Sequence, residues 1–151
     1  IGNTGNGIEG LNLSSTVIRF NDFIDLRNDG MVFDRVDEVL VTHNTIDNMP
    51  FDGIDIKRGG NATIENNVIR ECKAGFRLGR VASGILFRNN IIRDVSTNGI
   101  VCNGDNNEIA NNIIRNTGED SIIISASVEM YPDENSVVGN TFINCTEYAS
   151  R

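Results

Sequence analysis

The chain has few of the residues on which cross-linked, metal-bound or membrane-embedded domains depend. Its 151 residues include no tryptophan, two prolines, one histidine and three cysteines. No apolar run approaches the roughly 18 residues that a membrane span requires, so we expect none. Cys72, Cys102 and Cys145 lack CxxC spacing and are odd in number, which argues against a disulfide or zinc scaffold. A single imidazole, His43, cannot supply a multi-histidine copper site.

Basic residues are also scarce. Thirteen Lys and Arg face 21 Asp and Glu, which gives a net charge of −8. This balance argues against binding to nucleic acid. One stretch departs from it: between Lys57 and Arg93 lie eight basic and two acidic residues. The stretch indicates a basic face on an otherwise acidic protein.

An internal repeat of about 23 residues organises the sequence. Each copy reads apolar, two variable residues, Asn, one variable residue, apolar, as in Ile64 to Ile69. The aligned asparagines, here called the asparagine ladder, are Asn21, Asn44, Asn67, Asn90, Asn112 and Asn140. A second template, a small residue followed by apolar, variable and apolar residues, begins at Gly30, Gly53, Gly75, Gly99 and Ser121.

The period and the alternation together predict the fold. Apolar residues with period two mark strands, and Gly and Asn mark bends, so each repeat predicts one coil with three short strands. Coils stacked at about 4.8 Å would align the apolar residues into continuous inner columns. We therefore predict an all-β, single-stranded parallel β-helix, a solenoid of about six coils. Stacked amides would bond from coil to coil, and Asn would also tolerate the bend.

Other features follow from the same alignment. Cys72 and Cys145 fall in one apolar column and Cys102 in another, so we interpret all three as small buried hydrophobes. The longer step between Asn112 and Asn140 predicts an inserted loop that contains residues 129–134.

We expect residues 1–151 to form one β-helix domain. The chain begins in mid-coil, and no helical cap is evident at either end of the repeats. Because solenoids normally need caps, we expect a fragment that lacks one or both of them. Such a stack would continue by end-to-end self-association or into further domains of the same chain.

The repeats predict two columns of outward-facing arginines. The first contains Arg70, Arg93 and Arg115, and the following residues Glu71 and Asp94 offer carboxylates within the chain. The second contains Arg35, Arg58 and Arg80, with Lys57 and Arg77 nearby. Rows of Arg suit a polymer whose charges also repeat, such as a uronic-acid polysaccharide, because Arg binds carboxylates through two parallel hydrogen bonds.

The two templates, which cover nearly the whole chain, resemble the repeats of the pectate-lyase-like superfamily. That superfamily consists of right-handed parallel β-helices and includes NosD-like proteins, alginate epimerases, and the chondroitinase B and alginate lyase family. The resemblance implies a right-handed coil and a secreted, periplasmic or cell-surface protein that binds or processes polysaccharide.

The resemblance also implies site residues. In the chondroitinase B and alginate lyase family, a Lys on one coil is the base at sugar C5, and an Arg on the next coil assists at the carboxylate. The segments that start at Gly53 and Gly75 resemble that arrangement, which implies Lys57 and Arg80 as catalytic residues of a polysaccharide lyase. Aligning Ile56 with Leu78 places Arg80 opposite Arg58. The expected substrate-binding residues are Arg58, Arg77, Lys73, Arg70 and Arg93.

Two points stay open at the level of sequence. The acids nearest to Lys57 and Arg80 are Asp52 and Asp55. They make calcium the one ion to consider, and the sequence indicates no other metal or cofactor. The chain could also be a non-catalytic structural segment of an adhesin, a phage fibre or a surface filament, in which stacked coils supply length and stiffness. Whether it is an enzyme is undecided.

Overall fold

The computed structural model describes residues 5–125 and 134–145, and these form only strands and turns. None of the described segments is a helix with the length and apolar character needed to cross a membrane. Most of the predicted inserted loop, residues 126–133, lies outside the described residues.

Three parallel six-stranded sheets make up the fold. The first sheet contains β1 (Ile8–Leu11), β4 (Met31–Val36), β7 (Ile54–Gly60), β10 (Phe76–Ser83), β13 (Ile100–Cys102) and β16 (Ile122–Ile124). The second contains β2 (Val17–Arg19), β5 (Leu40–Thr42), β8 (Thr63–Glu65), β11 (Leu86–Arg88), β14 (Glu108–Ala110) and β17 (Ser136–Val138). The third contains β3 (Asp22–Ile24), β6 (Thr45–Met49), β9 (Val68–Cys72), β12 (Ile91–Val95), β15 (Ile113–Thr117) and β18 (Thr141–Ile143).

The chain visits the three sheets in turn, so neighbouring strands of a sheet are three apart in chain order. This connectivity confirms the predicted all-β parallel solenoid. Six strands stack in each sheet, and about five full turns connect the first strand of a sheet to its last.

The predicted apolar columns are the core. Ile64 on β8 lies in register with Val41 below and Phe87 above, and all three are fully buried. The parallel column in the third sheet is aligned in the same way through Ile69 and Ile92. Cys72 and Cys102 are buried, and Cys145 packs against the core half-buried, as predicted. Stacking therefore buries side chains that no single coil could bury.

Glycine occupies the second template because the inner corner there has no room for a side chain. A Cβ added at Gly53 would overlap the side chain of Ile69 and the backbone of Gly75. The same overlap with the next coil occurs at Gly30, Gly75 and Gly99. The small residue therefore lets successive coils approach at the start of the first sheet.

The asparagine ladder is a continuous chain of hydrogen bonds. Asn67 is 1% exposed, and its Oδ1 accepts from both the backbone N (2.9 Å) and Nδ2 (3.0 Å) of Asn44. Its Nδ2 donates to Oδ1 of Asn90 (3.0 Å) and to the carbonyl of Val41 (3.0 Å). The amide thus bonds to the coils on both sides, which confirms that the ladder is structural.

The expectation that the ladder asparagines occupy the bend is wrong by one residue. The left-handed conformation belongs to the preceding position, where His43, Asn66, Asn89 and Asn111 have φ of 55°, 56°, 54° and 55°. Those residues point outward and are exposed. The bend therefore turns the ladder amide inward, where it can bond along the stack.

We expect Asn67→Ala to lower the free energy of unfolding by about 3 kcal/mol, because it leaves two buried donors of Asn44 without an acceptor. The measurement is the urea denaturation midpoint. Asn66→Gly is the matched control, since Asn66 is exposed and glycine suits its positive φ. It should change stability by less than about 0.5 kcal/mol. Equal midpoints for the two variants would contradict the ladder's role.

Candidate functional site

The basic stretch does not form one face, contrary to the prediction. Lys57, Arg58, Arg77 and Arg80 lie on the first sheet, Arg70 and Arg93 on the third, and Arg88 on the second. Lys73 lies in the turn that leads from β9 into β10. A run of charges in the sequence is distributed around the solenoid because each coil visits three faces.

The predicted column of Arg70, Arg93 and Arg115 is confirmed by the register of the third sheet. The partner of Arg70 differs from the prediction: its Nη2 contacts Asp47 of the preceding coil at 2.5 Å, not Glu71. Asp47 occupies the same column as Arg70, so the acid is in register while Glu71 lies in the following bend. Arg93 pairs with Asp94 at 2.6 Å, as expected.

The second predicted column, Arg35, Arg58 and Arg80, does not exist. Arg58 pairs in register with Asp34 and Val81, because the first sheet shifts register on both sides of β7. Arg35 stands at the irregularity between Asp34 and Val36 with φ of 60°, and Arg80 lies in another, between Leu78 and Val81. The prediction that Arg80 lies opposite Arg58 is therefore wrong. One extra residue in β10 changes every pairing after Leu78.

Gly79 makes the irregularity in β10 possible. A Cβ at this position would collide with the carbonyl oxygen of Lys57 on the neighbouring strand. The backbone of β10 can therefore lie directly against β7 there. Lys57 and Arg80 are both exposed, and neither forms an ion pair with any residue that the structure describes.

Two other cations of the first sheet are held by carboxylates. Arg58 donates to both oxygens of Asp34, at 2.6 and 2.5 Å, and this bond lowers the pKa of Asp34. Arg77 donates from Nε to Oδ2 of Asp52 at 2.5 Å and from Nη2 to Oδ1 at 3.3 Å. The bond to Asp52 raises the pKa of Arg77. These fork-shaped contacts fix both guanidinium groups against the sheet.

Asp55 is the unusual carboxyl group of this face. It lies on β7 opposite Arg77, half-buried, and its side chain makes no hydrogen bond to the described residues. Burial, followed by the charge of nearby Asp52, raises the pKa of Asp55 to about 6. A carboxyl group that titrates near neutral pH beside cations is typical of functional sites.

Sequence reasoning overlooked one acid of the neighbouring coil. Asp29 accepts a hydrogen bond from the backbone N of Asp52 at 2.7 Å, and burial raises the pKa of Asp29. The available signal was the spacing of Asp29 and Asp52, which both stand directly before the glycine of the second template.

A calcium site at Asp52 finds little support in the geometry. Arg77 engages both oxygens of Asp52. Within residues 5–125 and 134–145, no three His, Cys, Asp or Glu side chains are grouped so that they could hold a metal ion.

An open recess of about 290 Å³ lies elsewhere, at the start of the second sheet. Its lining residues are Gly84, Ile85, Leu86, Asn106, Asn107, Glu108, Glu134 and Ser136. Among the described residues that line it there are acids and no cation, so the recess does not suit an acidic polymer.

We expect Asp55→Asn to stabilise the fold at pH 8 by about 1–3 kcal/mol. With a folded pKa of about 6 against an ordinary 3.8, folded Asp55 keeps its proton where the unfolded chain has lost it. Stability therefore falls as pH rises from about 4 to 6, and Asn removes this loss. Thermal unfolding from pH 4 to 8 measures the difference. The control is Asp22→Asn, which alters an exposed carboxylate of the third sheet. A pH profile of Asp55→Asn identical to that of the wild type would refute the buried charge of Asp55.

The comparisons with known proteins agree with this architecture. The family described as right handed beta helix region matches residues 6–150. Neither a curated protein nor a solved structure matches the chain. Because the family match spans nearly all of the repeats and the described strands form a parallel solenoid, the chain belongs to the right-handed β-helix family.

Proposed function

We propose that this β-helix binds an acidic, uronic-acid polysaccharide on the outer face of the first sheet, as a secreted, periplasmic or cell-surface protein. The observation that carries the proposal is the set of cations left without an acidic partner. Of the seven residues predicted from sequence, Lys57, Lys73 and Arg80 form no ion pair with described residues. All three are exposed and lie on the first sheet or in the turn that leads into it.

Arg58 and Arg77 supply oriented donors between these free cations. A guanidinium group has five N–H donors, and each of these residues uses two on its own carboxylate. The Arg58 side chain is 46% exposed, so its remaining donors can meet a ligand. Rigid donors lose less entropy on binding than mobile ones.

An exposed aromatic ring borders the same face. Phe51 is 47% exposed, and its carbonyl accepts from the backbone N of Lys73 at 2.9 Å, so the two residues are neighbours on adjacent coils. The flat apolar face of a sugar ring packs well on such a ring. An aromatic surface beside cations suits a charged sugar better than a simple anion.

Arg70 and Arg93 belong to a different surface. They lie on the third sheet, and Asp47 and Asp94 engage them. In this proposal they are secondary contacts at most, while Lys57, Arg58, Lys73, Arg77 and Arg80 form the binding surface.

We propose further that the same face cleaves the polymer by β-elimination. Lys57 is the base that removes the C5 proton, and Arg80 neutralises the uronate carboxylate so that the developing negative charge is stabilised. Lys57 points away from the core on β7, and the irregularity in β10 presents Arg80 on the next coil.

Lys57→Ala/Arg80→Ala should weaken binding to alginate, pectate or chondroitin sulfate at least about tenfold, since two unpaired cations are lost. Calorimetry at low salt measures the affinity of each variant for the polymer. Arg19→Ala/Arg115→Ala removes the same charge from exposed positions of the other two sheets and should leave affinity within about twofold. Loss of binding only in the control would place the polymer on another face.

The wild type should release unsaturated uronate ends from one of these three polymers, detected by ultraviolet absorbance. Lys57→Ala should slow this reaction by about 10²-fold or more, because it removes the base. Absence of absorbance change with all three polymers would reject the lyase while leaving the binding proposal intact.

A non-catalytic structural role is the second candidate. The observation that favours it lies in the last described coil, where Val137 and Phe142 of the inner columns are 43% and 49% exposed. An open sheet edge with exposed apolar side chains can pair with a further coil. Electron microscopy that shows end-to-end filaments, together with no polysaccharide binding, would favour this role.

A further inference from the structure

We infer that Asp55 is the general acid of the first-sheet face: it protonates the glycosidic oxygen that leaves while Lys57 removes the C5 proton. The inference rests on the proposed β-elimination and adds to it a residue to which the family resemblance gave no such role.

The geometry places both groups on one side of one strand. Ile54 and Ile56 are fully buried, so Asp55 and Lys57 point outward from β7. Two residues along a strand span about 7 Å, and the side chains can converge on neighbouring atoms of one sugar ring. Arg77 lies opposite Asp55 on β10, where its remaining donors can hold the polymer beside the acid.

The three acids of this face differ in the hydrogen bonds that their side chains make. Asp52 is tied to Arg77, and Asp29 accepts the backbone N–H of Asp52. Asp55 alone among these three makes no side-chain hydrogen bond to the described residues. Its carboxyl group is therefore available to a ligand.

The surroundings of Asp55 favour its protonated form. Val32 lies opposite it on β4, only 5% exposed, so one side of the carboxyl group is apolar. Asp52 and Asp29 add negative charge, and Lys57 and Arg77 oppose it. Burial is the largest effect, and the pKa of about 6 leaves a substantial protonated fraction in mildly acidic solution.

The step balances without a further reactant. Lys57 first gives its ammonium proton to water, its neutral amine then takes the C5 proton, and the C–H electron pair forms the C4–C5 double bond. The C4–O bond breaks, and its oxygen takes the proton of Asp55. The products are an unsaturated uronate end and a new hydroxyl end. Lys57 is left as an ammonium and Asp55 as a carboxylate, and proton exchange with water resets both.

The experiment compares wild type, Asp55→Asn, Asp55→Glu and the exposed-site control Asp22→Asn on the polymer that the wild type cleaves. Asp55→Asn should lower kcat by about 10²-fold or more while polymer affinity stays within about threefold. Asp55→Glu should recover part of the rate, and Asp22→Asn should match wild type. Cleavage by Asp55→Asn at the wild-type rate would overturn the inference about Asp55 but leave the proposed lyase activity standing.

A substrate with a better leaving group separates an acid from a residue that only supports the fold. On a uronate whose 4-oxygen carries a nitrophenyl group, the departing phenolate needs no proton, so Asp55→Asn should regain most of the wild-type rate. An equal loss on both substrates overturns the acid role. If the wild type cleaves neither substrate, both the β-elimination and the role of Asp55 are overturned. If that wild type still binds the polymer, the proposed binding surface stands.

Discussion

The structure depends on buried amide groups that bond from coil to coil. Each of the four inner ladder asparagines accepts two hydrogen bonds from one neighbouring coil and donates to the other, as Asn67 does between Asn44 and Asn90. Because an unpaired buried amide is costly, the ladder permits only one register between coils. That register aligns the apolar columns, and through them it decides which side chains face outward.

Regular stacking explains the core, and its interruption explains the candidate site. In the second and third sheets, strands pair without irregularity, and every outward column can be read from the repeat. In the first sheet, the longer strands β4, β7 and β10 shift register at three points. These shifts bring Asp34 to Arg58 and leave Lys57 and Arg80 unpaired and exposed. The candidate site therefore lies where the repeat is broken.

Electrostatics on this face follow from the same stacking. Strands only about 4.8 Å apart would force like charges together, and the acids of neighbouring coils relieve this repulsion. Asp52 and Asp34 each neutralise one arginine, and Asp29 bonds the backbone beside them. Asp55 receives no such partner, so burial raises its pKa to about 6, and the face combines unpaired cations with one weakly acidic carboxyl group.

The sequence by itself determined the solenoid, the inner columns, the ladder and the column of Arg70, Arg93 and Arg115, because each follows from a fixed period and the alternation of a strand. It missed the bend by one residue, since hydrogen bonding and backbone conformation select adjacent positions, Asn66 and Asn67. Only the tertiary structure decided the partners of Arg58, Arg70 and Arg77, the break between Leu78 and Val81, and the state of Asp55. A single extra residue changes pairing between strands without disturbing the period, and the burial of a carboxyl group depends on what neighbouring coils place beside it.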